Sequence, residues 1–419
     1  MIFYKIFSII LLPFLFLMMV FRVFSGKDDS TRIKEKFAFT CKSRPKGKVI
    51  WIHGVSVGEC RTALILVDRI VKEFDDVTVL MTSTTLTSAQ ILSKEIGDNY
   101  FDRVIHQFLP VDSVPCVRKF VNHWQMDMAI FLQSEIWPNF LDYLKKKKIP
   151  TYLVNAIMSK RSAKRWQFLS KFGARPFDKF TKIFVQDKNN LEVFSSLSKA
   201  ELEYFGNLKN EAKAPEYNEE MLEKIQGEVK NRKIFLAAST HKKEEEVVLK
   251  IHKKLKEKYP DLLTILVIRH PARSDEVEKI LQDFNYIEFD KNLAIKDENE
   301  VLFVNKMGIL GLFYKLCDFA FIAGSLEKIG GHNPYEAIKL DCGVICGNNY
   351  FNFYETYENL KANDACMIVK NEESLLEVVD GFLSGKNDAK QLLGNAKEAI
   401  KKAGSVSDVV LQEAIRVLS

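Results

Sequence analysis

The stretch Val49–Glu59, VIWIHGVSVGE, sets the reading of everything around it. Val49–His53 is a short apolar run bounded by turn residues, which predicts a buried strand. Gly58 permits a tight turn, and a helix is predicted from Glu59 to about Phe74. A strand apolar on both sides, followed at once by a helix, is how a parallel sheet covered by helices begins.

Outward from this stretch the pattern repeats. Val77–Thr82, Met128–Leu132, Thr151–Asn155 and Lys182–Gln186 read as further strands, the last closing this half, and a helix is predicted near Ser88–Ile96. Gly206–Asn231 is charged, carries Pro215 and shows no clear apolar period, so it reads as a connection. The alternation restarts with Lys233–Ala237, a helix at Glu244–Tyr259, and strands at Leu263–Ile268, Val301–Val304, Phe319–Ile322 and Gly343–Cys346. A polar helix at roughly Ala389–Leu418 closes the chain. The fold class is therefore α/β, with Rossmann-like domains at 26–205 and 232–419 joined by a linker at 206–231. The last helix can pack back on the first domain.

The chain has 419 residues, 47% of them hydrophobic and 28% charged, which suits two globular domains with cores of their own. The net charge of +6 is basic without a stripe of clustered Arg and interleaved aromatics, so no nucleic-acid partner is expected. An anionic substrate or membrane surface accounts for the excess. The seven cysteines, Cys41, Cys60, Cys116, Cys317, Cys342, Cys346 and Cys366, are scattered and lack zinc spacing, which points to reduced thiols and no metal.

The N-terminus has a different character. Ile6–Phe21 is uncharged and lies between Lys5 and Arg22. With its flanks it is long enough to span a bilayer, so residues 1–25 are expected to form a membrane anchor helix, spanning or lying in the interface. Arg22, Lys27, Arg32, Lys34 and Lys36 follow it, which places the domains on the cytoplasmic side. A cleaved signal peptide would need its positive charge ahead of the apolar run and a small-residue cleavage site, and Val23–Gly26 is a poor one.

In open α/β sheets, ligands bind beyond the carboxyl ends of the strands. Five stretches put chemistry there. In His53–Glu59 the carboxylate of Glu59 falls in the first helical turn, where the dipole favours negative charge. It either caps its helix or serves as a general base. In Gln133–Asn139, QSEIWPN, Glu135 is again a carboxylate just past a strand, either a helix-start acid or a site residue. Arg269 and His270 follow the apolar run Ile265–Ile268, and Arg suits bidentate contact with carboxylate or phosphate. Met307, Gly308 and Ile309 make a strand-to-helix turn whose backbone can touch a base or phosphate. The segment Gly324–Ala337, GSLEKIGGHNPYEA, is the most informative. Gly330 and Gly331 allow close backbone approach, Asn333 is a natural N-cap and Pro334 suits the first helical position. A helix begun that way is an anion site, with Glu336 placed to accept from a ribose.

Together HGVSVGE, SEIWPN, LVNAIMSKRS (Leu153–Ser162), AASTH (Ala237–His241), RHP, GILGLFY and GSLEKIGGHNPYEA resemble the family of 3-deoxy-D-manno-octulosonic acid (Kdo) transferases, in order and over almost the whole chain. The resemblance implies a metal-independent GT-B glycosyltransferase on the inner membrane, with no cofactor, using CMP-Kdo as donor and the lipid A precursor lipid IVA as acceptor. It implies Glu59 as the base that deprotonates the acceptor, and Glu135 and Lys209 as groups stabilising the transition state. Arg269, His270, Met307, Gly308, Ile309, Asn333, Pro334, Tyr335 and Glu336 would contact the CMP portion. The chain departs from the family pattern at Leu86 and Ser88, where Pro and Gly are usual, at Gln133-Ser134 for Glu-Thr, and at Ile268 for Pro. A UDP-sugar transferase or epimerase of the same architecture, and a binding protein that has lost activity, are the competing readings.

Overall fold

The computed structural model of the protein describes all residues except Met1, Thr40, Cys41, Phe101, Asp102, Lys291, Asn292 and Ala403, with backbone alone at Asp98 and Asn99. Cys41 therefore lies outside the described residues; the other six cysteines are free and buried. The chain forms two compact units, Met1–Ala212 with Gly404–Ser419, and Lys213–Ala403.

The first unit is built on strands β1 (Lys48–His53), β2 (Val77–Ser83), β3 (Val104–Phe108), β4 (Met128–Leu132), β5 (Thr151–Ala156), β6 (Lys182–Val185) and β7 (Glu201–Tyr204). They pair in the order β3-β2-β1-β4-β5-β6-β7, every pair parallel. Every residue of β2, β4, β5 and β6 is buried, which is why these strands read as continuous apolar runs. Trp51, Phe120, Phe131 and Phe140 pack on one face, and Ile50, Ile52, Val79 and Tyr152 on the other. Each such side chain contributes roughly 1.5–3 kcal/mol by leaving water. The helix Val57–Glu73 buries Cys60, Ala63, Leu66, Val67 and Ile70, an apolar stripe at helical spacing that lays it along the sheet.

The chain end also belongs here. The predicted helix at Ala389–Leu418 is two helices, Ala389–Lys402 and Val406–Leu418, and the second starts afresh where Ser405 accepts from Asp408 N–H. Val406, Val410 and Ala414 pack in the same cluster as Leu66 and Val67. Glu211 accepts from the Val406 and Ser407 N–H groups, at 2.5 and 3.2 Å, and Glu413 reaches Lys182 at 2.9 Å.

The second unit carries β8 (Lys233–Thr240), β9 (Leu262–Ile268), β10 (Tyr286–Glu288), β11 (Val301–Val304), β12 (Phe319–Ile322), β13 (Gly343–Gly347) and β14 (Met367–Val369). The order is β10-β11-β9-β8-β12-β13-β14, again all parallel. Strand order reverses between β1 and β4 in one sheet and between β8 and β12 in the other. These are the switch points where sheets of this kind bind ligands.

Two expectations are corrected. The stretch 206–231 is not a bare linker: it holds a 3-10 turn, Leu208–Glu211, and a helix, Glu219–Val229. That helix buries Leu222, Ile225 and Val229, three apolar residues at helical spacing that the surrounding charge obscured. The N-terminal segment is not one helix but two, Ile2–Ile10 and Leu12–Phe24, bent by 50°. Pro13 lacks the N–H that would continue the ladder, and its ring crowds the carbonyl four residues earlier. No single helix among the described residues is long and apolar enough to cross a membrane, although the bent pair passes that test together. The first of the two is tied to the protein surface, with Lys5 on Asp142 at 2.5 Å and Ser8 accepting from Asn139 at 3.1 Å.

Candidate active site

The first switch point is acidic. Ser56 and Glu59 form a capping box: Glu59 N–H donates to Ser56 Oγ at 3.2 Å, while Glu59 Oε2 accepts from Val55 N–H at 2.6 Å and Ser56 N–H at 3.3 Å. The capping reading of Glu59 is thus realised in this side chain. One oxygen caps the helix, and Oε1 makes no hydrogen bond to any described residue. A β-carbon on Gly54 would come within 3.1 Å of the Glu59 side chain, so this position keeps the carboxylate close to the strand end. Ser88, a departure from the family pattern, donates to Val55 O at 3.0 Å and holds the same loop from the β2 side.

Glu135 sits three residues past β4, beyond a turn at Gln133 with φ +57°. Its Oε2 accepts from the Trp137 indole at 3.0 Å. Lys209 lies exposed on the turn Leu208–Glu211, and its own N–H is held by Asn207 Oδ1 at 3.0 Å. Asn155, at the end of β5, accepts from Leu208 N–H at 2.9 Å and so fixes that turn at the same sheet edge. Asn155 is one residue of the LVNAIMSKRS motif whose use becomes visible only here.

The second switch point is basic. Arg269 and His270 follow β9 and are exposed, and Arg269 N–H bonds Thr240 O at 3.0 Å. His241, directly after β8, stacks on His332 with ring centres 5.2 Å apart and Nε2 to Nε2 3.0 Å, and meets the edge of His270 at 5.4 Å. Burial pushes both His241 and His332 down to about 4, and the neighbouring cations add to this, Arg269 for both. Gly324 makes room for the pair. Its φ is +69°, and a β-carbon there would lie 2.9 Å from His332 Nε2. His241 was not among the expected contacts. The AASTH motif marked it, but nothing local ties it to residue 332.

The expected anion-holding helix is reduced. It runs only Tyr335–Ile338, too short for a strong dipole, and its N-cap is Pro334 rather than Asn333, whose Oδ1 accepts from Tyr335 N–H at 3.1 Å. Pro334 and Tyr335 are buried, whereas Asn333 and Glu336 are half-buried. Burial pushes the Glu336 carboxyl up and Arg269 draws it back. The N–H groups of Gly324, Ser325 and Leu326 are taken by the protein's own buried carboxylate, Glu244, at 2.7 to 3.0 Å. An anion here would meet side chains rather than a free backbone cradle.

Met307 and Gly308 are exposed and Ile309 is half-buried. Gly308 and Ile309 line a cavity of about 820 Å³ with Tyr217, Phe289 and Lys306. Its other wall comes from the stretch read as linker. Gly311 admits that wall, since a β-carbon there would meet Glu216 O at 2.6 Å.

Two consecutive, all-parallel, doubly wound units, each with a switch point, are the architecture of the GT-B class. A glycosyltransferase from Rickettsia africae has this fold, with a TM-score of 0.57, 16% identity, and coverage of 89% of this chain and 98% of that one. Residues 31–212 match the family model described as 3-deoxy-D-manno-octulosonic-acid transferase (kdotransferase). The chain is 32% identical over 418 residues to the 3-deoxy-D-manno-octulosonic acid transferase of Rickettsia bellii, covering 98% of this chain and 97% of the relative. It is 33% identical over 375 residues to that of Haemophilus influenzae, covering 87% and 86%. The chain belongs to the 3-deoxy-D-manno-octulosonic acid transferase family.

Proposed function

We propose that this Kdo transferase moves Kdo from CMP-Kdo to a hydroxyl of lipid IVA in lipopolysaccharide biosynthesis, with Glu59 as general base. The observation that carries the base assignment is the divided carboxylate of the buried Glu59, one oxygen fixed by two backbone N–H groups and the other without a hydrogen bond to any described residue. A base held in one orientation loses little freedom when it meets its proton.

In the proposed reaction the bond from the anomeric carbon to the CMP phosphate oxygen breaks, and CMP leaves with the electron pair. The acceptor hydroxyl oxygen bonds to that carbon and gives its proton to Glu59. Positive charge grows on the sugar, and carboxylates such as Glu135 suit it. Negative charge grows on the phosphate, and Lys209, Arg269, His241 and His332 are the groups suited to it. No metal is assigned a part.

The N-terminal helices would hold the enzyme on the cytoplasmic face of the inner membrane. Phe3, Phe7, Phe14, Leu17 and Phe21 are exposed, and Lys5 and Ser8 dock the first helix on the first unit. This arrangement favours a segment lying in the interface over one that spans. Incubation with CMP-Kdo and lipid IVA, followed by mass spectrometry, should show addition of Kdo, and the mass counts the sugars. Transfer from UDP-sugars but not from CMP-Kdo would overturn the donor assignment.

A further inference from the structure

One buried group at the first switch point remains without a role. His53 ends β1, is fully buried, and its Nε2 has no hydrogen-bond partner. We propose that His53 is a positioning residue for Glu135, presenting Nε2–H to the carboxylate oxygen that Trp137 already holds. This rests on the reading of Glu135 as a transition-state group.

The tautomer follows from counting hydrogens. Trp51 Nε1, which can only donate, gives its hydrogen to Thr82 Oγ1 at 2.9 Å. The Thr82 hydroxyl then has its own hydrogen to place, and His53 Nδ1 lies 2.9 Å from that oxygen. Thr82 O, 3.2 Å from Nδ1, is already served by Gly54 N–H at 3.1 Å. An acceptor at Nδ1 satisfies the hydroxyl and leaves the proton on Nε2. The opposite tautomer strands the hydroxyl hydrogen and turns a bare lone pair towards a carboxylate.

Geometry gives that proton one direction. Nε2 is 3.9 Å from Glu135 Oε2, the same oxygen that accepts from Trp137. Trp137 stands edge-on to the imidazole with centroids 5.7 Å apart, and Phe131 packs against the ring at 5.8 Å, so the imidazole is held from two sides. A buried donor without an acceptor is costly, and a closure of about 1 Å by the Glu135 loop would complete the bond. With Oε2 gripped from two sides, Oε1 is the oxygen left to face the sugar. His53 and Glu135 lie 82 positions apart, and only the pairing of β1 with β4 brings them together.

The test compares H53L, which removes the donor, with H53Q, whose amide restores one. H53L should lower kcat at least tenfold while KM for CMP-Kdo and the Kd for CMP stay within twofold. H53Q should return kcat to within threefold of the parent. On an E135Q background H53L should cost less than twofold further, because its partner is already changed. Parental kcat in H53L, no recovery in H53Q, or full additivity with E135Q would each overturn the proposal. Parental activity in E135Q alone would instead sink the reading of Glu135. If H53L does not fold, histidine nitrogen shifts of the full chain decide directly: Nε2–H at His53 is expected, and Nδ1–H refutes the inference.

Discussion

The two switch points share a topology and oppose each other in charge. Between β1 and β4 the first unit sets Glu59 and Glu135, each with one oxygen tied to a donor. Between β8 and β12 the second unit sets a pair of imidazoles with Arg269 and His270 beside them. The sheet supplies the same platform twice, and the residues just past each strand decide its chemistry. In the proposed reaction one end takes up a proton and faces a cation, and the other holds an anion.

The sharpest way to break this division is at Glu59. Glu59→Gln should lower kcat about a thousandfold, the scale of a lost general base, while calorimetry finds CMP binding unchanged. If the variant kept a tenth of parental activity, the acidic end would not supply the base. Arg269→Ala is the counterpart at the basic end. It should weaken CMP binding about 10- to 100-fold, as expected for a charge-assisted contact. Unchanged affinity would show that the nucleotide lies elsewhere.

A smaller effect separates the units by stability. His106, His241, His252 and His332 are pushed down to about 3, 4, 4 and 4, burial being the first cause in each. Between about pH 4 and 6.5 the unfolded chain therefore binds protons that the folded chain refuses. Stability from these groups is full above pH 6.5 and is lost as pH falls towards 4. Three of the four lie in the second unit, whereas Trp51, Trp124, Trp137 and Trp166 all lie in the first. On going from pH 7.5 to 5, the urea midpoint read by circular dichroism should fall more than the midpoint read by tryptophan emission. Equal shifts would mean that the histidine burden is shared. The smallest expected change is with EDTA: transfer should stay within twofold, because the leaving phosphate is assigned to Lys209, Arg269 and the two imidazoles rather than to a metal. A tenfold loss would place a metal in the reaction.

Much of the fold was legible because a parallel strand, buried on both faces, must be apolar throughout. Val49–His53 and Met128–Leu132 could be read for that reason. β3 escaped because His106 and Gln107 interrupt it, and their partners lie far along the chain: Ser83 at 2.9 Å from His106, and Trp124 at 3.1 Å from Gln107 Oε1, with Gln107 Nε2 left unpaired among the described residues. β7, β10 and β14 escaped as short strands at or near the sheet edges, only partly buried. The placement of Glu59 and Arg269 just past a strand was legible, while the burial of Tyr335 and the use of the 324–326 N–H groups by Glu244 were not.

What the sequence determined by itself is local: which residues stand at the carboxyl ends of strands, since apolar period and turn chemistry act over a few positions. What the tertiary structure decided is which ends are neighbours. Strand order is set by hydrogen bonds between segments far apart in the chain, and no local pattern encodes it. That order puts His53 beside Glu135 and His241 beside His332, and so turns isolated polar residues into two sites of opposite charge.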